Sequence, residues 1–348
     1  MKKVSLFISL MVAAVMLLTA CGPTATPTAA PVVPTATQAP AVPVLVPTAT
    51  AAPVVVPTAN PLGTAAQPIV LALAPSATTQ ELLASGQAIA DQLAKLTGYT
   101  FKTNVPTSYA ALIEAMGSGN AQVGFMPTVP YIVAHSKKYA DVGLVVLRNG
   151  ADHYGFEFIA NHGAGFKTYY DVKTSKDTAD APTALAQFAG KKPCWTDPLS
   201  SSGYLIPAGL LAANKISVKA GAWVQGHPTV VTSVYLSPKG EICDFGAVYI
   251  DARSSVVKQY PDVNNKVDII YVSDPIIPND TVSYASSLPA DMRAKISDAL
   301  LQMLKTPDGL AAFKAVYQID SLKVVDDSFY DDYRVYLQAI NFDVNSYK

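Results

Sequence analysis

The pattern of apolar and polar positions from residue 68 onward alternates between two periods. A continuous apolar run at Ile69–Leu73 is typical of a buried strand, and the next segment, opening at Thr78 and Glu81 like a capping box, has apolar residues at helical spacing. Gly98 is expected to end that helix. The order of a strand followed by a helix recurs along the chain. Further strands are predicted at 123–125, 142–147, 156–160, 222–224, 245–248 and 267–272. Strands separated by helices predict an α/β fold with mostly parallel sheets.

The amino terminus departs from this pattern. Lys2 and Lys3 precede an uncharged apolar run, which is typical of a signal peptide, and the run ends in Leu-Thr-Ala-Cys at 18–21. These four residues resemble a bacterial lipobox and predict a lipoprotein signal peptide at 1–20 with a lipid on Cys21. The alternative is an ordinary signal peptide cut nearby and an unused thiol. Pro, Thr, Ala and Val then alternate without a charge, so 21–67 is predicted to be a lipidated, disordered tether on the outer face of the cytoplasmic membrane.

Composition narrows the function of the remaining chain. The 348 residues carry a formal net charge of -1, and no basic stripe with interleaved aromatic residues is present, which argues against a nucleic-acid binder. Beyond the anchor only Cys194 and Cys243 remain, an even pair in a compartment that permits disulfides. We expect them to be bonded. Two buried free thiols are the alternative, because spacing alone does not show that the α-carbons come within bonding range.

The segment 192–210 carries the most suggestive chemistry. A short strand-like stretch is followed by Ser200, Ser201, Ser202 and Gly203, directly before an apolar helical stretch. The first amides of a helix lack internal partners and the helix dipole is positive there, so such a turn can hold a tetrahedral oxyanion. Serines at a helix start are also common as plain N-caps.

The same segment resembles the phosphate, phosphite and phosphonate substrate-binding proteins of ABC transporters, in the periplasmic binding protein type II superfamily. The matching residues are Asp197, Pro198, Ser200, Ser201, Ser202, Gly203, Tyr204, Leu205 and Pro207, and the segments 108–127 and 273–282 also agree. The resemblance implies two lobes joined by a two-crossing hinge. Lobe 1 would comprise 68–154 and 274–348, with 329–340 wrapping its back, and lobe 2 would comprise 155–273.

The resemblance also implies a ligand set. Tyr109 and Tyr154 would reach the ligand from the first lobe and the crossing, and the three serines would hold the oxyanion. The remaining positions of the set are His227, Asp251 and Asp280, the two acidic ones accepting hydrogens from a protonated oxygen or a ligand amine. Pro228 follows His227 where some members have a glutamate, and Asp251 is one methylene shorter than a glutamate found in characterised members.

Each of these residues has a purely structural alternative. Tyr109 and His227 occupy helix starts, where one can pack its ring and the other can cap the helix. Asp251 can be an N-cap, and Asp280 a turn former after Pro278.

An extracellular enzyme is the competing class, and the sequence lacks both a G-x-S-x-G elbow and an H-E-x-x-H helix. Ser255 and Lys258 form an S-x-x-K pair without companion motifs, and the four histidines lack metal-ligand spacing, so no cofactor or metal is predicted. We therefore expect a monomeric solute-binding lipoprotein that closes around a small oxyanion and docks on a permease with its ATPase. A sensor that presents its closed form to a receptor kinase is the alternative.

Overall fold

The computed structural model describes residues 61–347, so the predicted signal peptide, Cys21 and most of the predicted tether lie outside the described residues. Residues 61–67 were predicted to belong to the disordered tether, but they are part of the folded structure. The Gly63 amide donates to the Gln67 carbonyl (2.8 Å), and the Thr100 amide donates to the Gly63 carbonyl (2.7 Å). Leu62 packs against the core of the first lobe. The folded part therefore begins before Pro68.

The strands of the described chain are short and mostly buried. In chain order they are β1 (Ile69–Leu73), β2 (Phe101–Asn104), β3 (Val123–Met126), β4 (Ala140–Leu147), β5 (His153–Tyr154), β6 (Phe156–Asn161), β7 (Tyr170–Asp171), β8 (Lys176–Asp177), β9 (Pro193–Trp195), β10 (Ala222–Trp223), β11 (Phe245–Tyr249), β12 (Val267–Val272), β13 (Ile277–Pro278), β14 (Thr281–Ala285) and β15 (Ser321–Val324).

Helices connect most of these strands. They are α1 (Thr79–Thr97), α2 (Tyr109–Gly117), α3 (Thr128–Ser136), α4 (Ala181–Leu185), α5 (Ile206–Ala213), α6 (His227–Tyr235), α7 (Val263–Lys266), α8 (Ala290–Met303), α9 (Pro307–Tyr317) and α10 (Asp331–Ala339). Gly98 ends α1 in the left-handed conformation, as predicted, and the Ser108 hydroxyl caps α2 by accepting from the Ala111 amide. Among residues 61–347, no helix has the length and apolar character needed to cross a membrane.

Two sheets form the cores of two lobes. The first has the strand order β15-β4-β14-β3-β1-β2, and the second has the order β10-β9-β11-β6-β12. The sheets are mixed rather than mostly parallel. Pairs β1–β2, β1–β3, β9–β10 and β9–β11 are parallel, whereas β14 and β15 in the first sheet and β6 in the second pair antiparallel with their neighbours. In the first sheet, β14 is the strand by which the chain returns from the second lobe.

The two crossings lie side by side. Strands β5 and β13 pair antiparallel, with Tyr154 opposite Ile277. At the entry to β6 the Phe156 amide donates to the Ser273 hydroxyl (2.9 Å). A Cβ on Gly155 would lie 2.6 Å from the Ser273 carbonyl oxygen, so only glycine allows the two crossings to approach this closely.

The carboxyl-terminal segment differs from its prediction as well. It does not only wrap the back of the first lobe, because Ile340 packs so closely on Gly209 in α5 of the second lobe that a Cβ there would collide with it. Tyr333 in α10 lies beside Ser201, which opposes the rise in the tyrosine pKa that burial causes. The segment therefore contacts both lobes.

The predicted disulfide is present in the second lobe. Cys194 in β9 and Cys243 before β11 are bonded, with their α-carbons 5.5 Å apart, within the range a disulfide requires. Both residues are fully buried in the core cluster between the second sheet and α6. The bond fixes the start of β11 against the strand that leads into the serine-rich turn.

Candidate functional site

The serine turn, residues 197–205, connects β9 to α5. The Asp197 carboxylate accepts from the Leu199 amide (2.8 Å), and the Ser200 amide donates to the Asp197 carbonyl (2.9 Å). The Ser200 hydroxyl accepts from the Gly203 amide (3.1 Å), so it serves as the N-cap of the π-helical turn Ser201–Leu205. A hydroxyl that accepts still has its own hydrogen to donate. The N-cap interpretation thus holds for the side chain of Ser200 and does not exclude a ligand.

The interior of this turn is tightly packed and polar. Ser201 and Ser202 are at most 2% exposed. The hydroxyl of Thr196 is buried without a hydrogen-bond partner among residues 61–347, and the buried hydroxyl of Ser201 has the Tyr333 side chain beside it but no hydrogen bond of standard geometry. A Cβ on Gly203 would collide with the Thr196 side chain, so the turn can adopt its shape only with glycine there. Buried hydroxyls lacking partners are uncommon in folded proteins and point to a polar group that completes them.

Two contacts bring the first lobe to this turn. The Tyr154 hydroxyl donates to the Ser202 hydroxyl at 3.5 Å, and the Tyr109 amide donates to the Asp197 carboxylate at 3.4 Å. Both tyrosine hydroxyls are buried, and burial raises the pKa of each above its ordinary value. Tyr109 and Tyr154 are therefore neutral hydrogen-bonding groups at neutral pH.

His227 and Tyr249 form the neighbouring part of the second lobe. His227 is 4% exposed and its ring lies 4.7 Å from the Tyr249 ring. Burial lowers the pKa of His227 to about 3, so the imidazole is neutral. Its Nδ1 accepts from the Tyr249 amide (3.3 Å), which places the imidazole hydrogen on Nε2. The ring is thereby a neutral hydrogen-bond donor.

The two acidic residues differ in their surroundings. Asp251 is exposed and has a left-handed backbone (φ 66°) ahead of the turn Ala252–Val256, and its side chain makes no cap hydrogen bond there. Asp280 is half-buried and forms an ion pair with Arg148 at 2.6 Å. The charge of Asp280 contributes to the raised pKa of Tyr109, Tyr154 and Tyr317, so it lies within electrostatic reach of the candidate tyrosines.

Sequence reasoning missed Arg148, Asp197 and Tyr249. Asp197 belongs to the serine motif, but nothing in the motif indicates that its carboxylate accepts from the Tyr109 amide of the other lobe. Arg148 directly follows the predicted strand at 142–147, and nothing local in the sequence distinguishes it from a surface arginine.

Two cavities lie in different parts of the molecule. One of about 20 Å³ lies between the lobes at Tyr109, Asp197 and Gly226, with room for a single water-sized group. A larger groove of about 440 Å³ lies between α3 and the carboxyl-terminal segment, beside Arg334. The residues that line this groove include none of the serine turn and none of the predicted ligand residues, so the candidate site is defined by its chemistry and not by this groove. Among the described residues, no group of three or more His, Cys, Asp or Glu side chains is placed to hold a metal ion.

The family model described as the periplasmic substrate-binding protein of a phosphonate ABC transporter matches residues 71–330. The chain belongs to this family. The membership agrees with the resemblance carried by the serine turn, and it accounts for the two-lobed α/β architecture.

Individual members differ in how much of the chain they match. The phosphate-import protein PhnD of Mycolicibacterium smegmatis is 31% identical over 146 residues, which is 41% of each chain, so the match spans about two fifths of that relative. A binding protein component of an ABC phosphonate transporter from Pseudomonas aeruginosa has a TM-score of 0.67 at 18% identity, covering 81% of this chain and 90% of that one. PhnD1 from Prochlorococcus marinus, in complex with methylphosphonate, has a TM-score of 0.67 at 11% identity, covering 79% and 98%. At these identities the two structures establish the shared fold, and the two-lobed prediction is confirmed.

Proposed function

We propose that this family member is the extracytoplasmic solute-binding subunit of an ABC importer, and that it captures a phosphate-like or phosphonate-like oxyanion between its lobes. The observation that carries the proposal is the contact of Tyr154 with Ser202 across the cleft, beside the buried hydroxyl of Ser201 and that of Thr196, which has no partner among residues 61–347. Hydroxyls and helix-start amides bind tetrahedral oxyanions without a full counter-charge.

Closure of the lobes follows from the same geometry. The first lobe contributes Tyr109 and Tyr154, and the second contributes the serine turn, so a bound anion bridges groups that belong to different lobes. A ligand that contacts both lobes stabilises the closed arrangement relative to the open one, because it has more contacts there. His227 lies buried beside Tyr249 and supplies a further neutral donor. The closed form is then the one that docks on the permease and its ATPase.

The proposal includes the lipid anchor. Cys21 lies outside the described residues and rests on its lipobox-like sequence alone. A lipid there, with a charge-free spacer, would keep a monomeric binding protein close to its permease at the outer face of the cytoplasmic membrane.

Isothermal titration calorimetry of phosphate-free protein with inorganic phosphate and with methylphosphonate tests the function. We expect binding in the wild type and a loss of about tenfold or more in the Ser201→Ala/Ser202→Ala double variant, because two buried donors are removed. Thermal unfolding should be nearly unchanged.

The matched control is Ser286→Ala/Ser287→Ala, an adjacent exposed pair in the first lobe, which should bind like the wild type. Absence of binding to either anion in the wild type would refute the function. Unaltered binding in the Ser201/Ser202 variant would remove the serine turn from the site.

A further inference from the structure

Arg148 directly follows β4, where the first lobe faces the crossing strands. Its side chain is 27% exposed and pairs with the Asp280 carboxylate, Nη2 to Oδ2, at 2.6 Å. Nη1 donates to the Asn279 side-chain oxygen (3.1 Å), and Nε donates to the Tyr317 carbonyl (2.7 Å). These three bonds fix the plane of the guanidinium against the link between β13 and β14 and against the end of α9.

Two of the five guanidinium N–H groups, one on each Nη, have no partner in the described part of the chain. The positive charge of Arg148 affects the pKa values of tyrosines on both sides of the cleft. Burial raises the pKa of Tyr154 and of Tyr249, and the Arg148 charge opposes both rises. Tyr154 contacts Ser202 and Tyr249 packs on His227, so Arg148 lies within electrostatic reach of both halves of the candidate site.

The ion pair changes what Asp280 can recognise. A lone carboxylate in the cleft would attract a ligand ammonium group and repel a dianion. With a guanidinium at 2.6 Å the carboxylate charge is largely cancelled, and an ammonium group placed beside it would also meet the positive charge of Arg148. Asp251 is the other acidic group of the set, and it is exposed, so water screens its charge.

We propose that Arg148 is a specificity-determining residue of the cleft, which with Asp280 makes the site select phosphorus oxyanions that lack an ammonium group over aminoalkylphosphonates. The inference rests on the proposed function and names the substrate class of the same site. A purely structural Arg148 would only hold β4 against β14 and α9, and its removal would weaken all ligands equally.

The test compares ligands of matched size. Affinities of inorganic phosphate, propylphosphonate and 2-aminoethylphosphonate are measured by calorimetry at pH 7.5; the last two differ by a methyl group in place of an ammonium. Wild type should prefer propylphosphonate by about tenfold or more. In Arg148→Gln the preference should shrink by about tenfold, because the freed Asp280 carboxylate then attracts the ammonium group.

Arg293→Gln is the matched control. Arg293 also pairs with an aspartate of the first lobe, Asp141, at 2.8 Å, and its side chain is 24% exposed. Its variant should keep the wild-type preference. If Arg148→Gln fails to fold, two measurements still test the inference. They are the preference of the wild type for propylphosphonate and the preference of Arg148→Lys, which keeps the positive charge beside Asp280.

The outcomes separate the inference from the function it rests on. Binding of 2-aminoethylphosphonate as tight as that of propylphosphonate in the wild type, or an unchanged preference in Arg148→Gln, overturns the inference and leaves oxyanion binding intact. Absence of binding to all three ligands overturns the proposed function and the inference with it.

Discussion

The second lobe brings hydroxyls and a neutral imidazole to the cleft, whereas the first lobe brings an ion pair and two tyrosines. In the second lobe, burial keeps His227 uncharged, and Asp197 is the one acidic side chain of the serine turn, which has no basic one. In the first lobe, Arg148 and Asp280 are both charged and are directly paired. Under the proposed function, neutral donors and charged groups would therefore meet the same ligand from opposite sides.

The difference between the two lobes follows from the free energy required to bury a neutral group and to bury a charged one. A neutral group needs only a hydrogen bond to be tolerated in the interior, whereas a buried charge needs a paired counter-charge. The serine turn can therefore be nearly inaccessible, with Ser202 only 1% exposed, while Asp280 remains half-buried beside its arginine. On this comparison we expect the second lobe to bind the proposed oxyanion and the first lobe to determine the selectivity.

The largest effect that tests this comparison concerns the neutrality of His227. Burial lowers its pKa from 6.5 to about 3, so below pH 6.5 the unfolded chain binds a proton that the folded chain does not. The contribution of His227 to the free energy of unfolding is fully present above pH 6.5. It decreases as the pH drops toward 3, by about 5 kcal/mol in total. Urea unfolding at pH 7.5 and pH 4 should show the wild type losing its stability advantage over His227→Gln as the pH falls.

His162→Gln is the control, since His162 is in the same lobe with 73% of its side chain exposed. Its stability should follow that of the wild type across the same range. If wild type and His227→Gln lose stability in parallel, the imidazole is not held neutral and the contrast between the lobes fails.

Glu157 tests the same contrast with the opposite sign. It lies in β6 at 0% exposure, and neither carboxyl oxygen has a hydrogen-bond partner within 61–347. Burial raises its pKa from 4.5 to about 7, against the opposing charge of Arg253. The folded chain then holds a proton that the unfolded chain releases, so this contribution is complete below pH 4.5 and is lost as the pH rises through about 7, by about 3 kcal/mol.

The measurement is again a difference between variants, because Glu157 and His227 act in opposite directions between pH 4.5 and 6.5. From pH 4.5 to 7.5 the wild type should lose stability relative to Glu157→Gln. Glu241→Gln, an exposed glutamate in the same lobe, is the control and should show no such divergence. A constant difference between wild type and Glu157→Gln would mean that the second lobe already carries a buried negative charge at pH 5.

Local sequence signals account for much of the fold. The strand Ile69–Leu73 and the helix end at Gly98 each depend on residues close in sequence, and both are observed. The even cysteine pair predicted the disulfide, although only the fold shows the α-carbons to be 5.5 Å apart. The mixed sheets were not predicted, because the partners of β14 come from distant parts of the chain.

Less of the candidate site could be predicted from the sequence, because its residues also come together from distant parts of the chain. The ligand residues were carried over from the family resemblance and stay predictions. The role proposed for Arg148 depends on Asp280, 132 residues away, and a hydrophobicity pattern contains no information on such a pair. The neutrality of His227 depends on burial and on packing against Tyr249, which no local motif specifies.

The smallest expected effect tests whether oxyanion binding depends on the shape of the serine turn. Alanine at Gly203 would place a Cβ against the Thr196 side chain, and overpacking of this kind costs about 2 kcal/mol. We expect Gly203→Ala to bind phosphate about tenfold or more weakly, because the amides and hydroxyls of the turn are displaced. Removing the obstacle in Thr196→Ala/Gly203→Ala should restore part of that loss, whereas Thr196→Ala alone should change binding less than Gly203→Ala. Normal phosphate binding by Gly203→Ala would show that the turn tolerates displacement, and the anion would then be held chiefly by the charges of the first lobe.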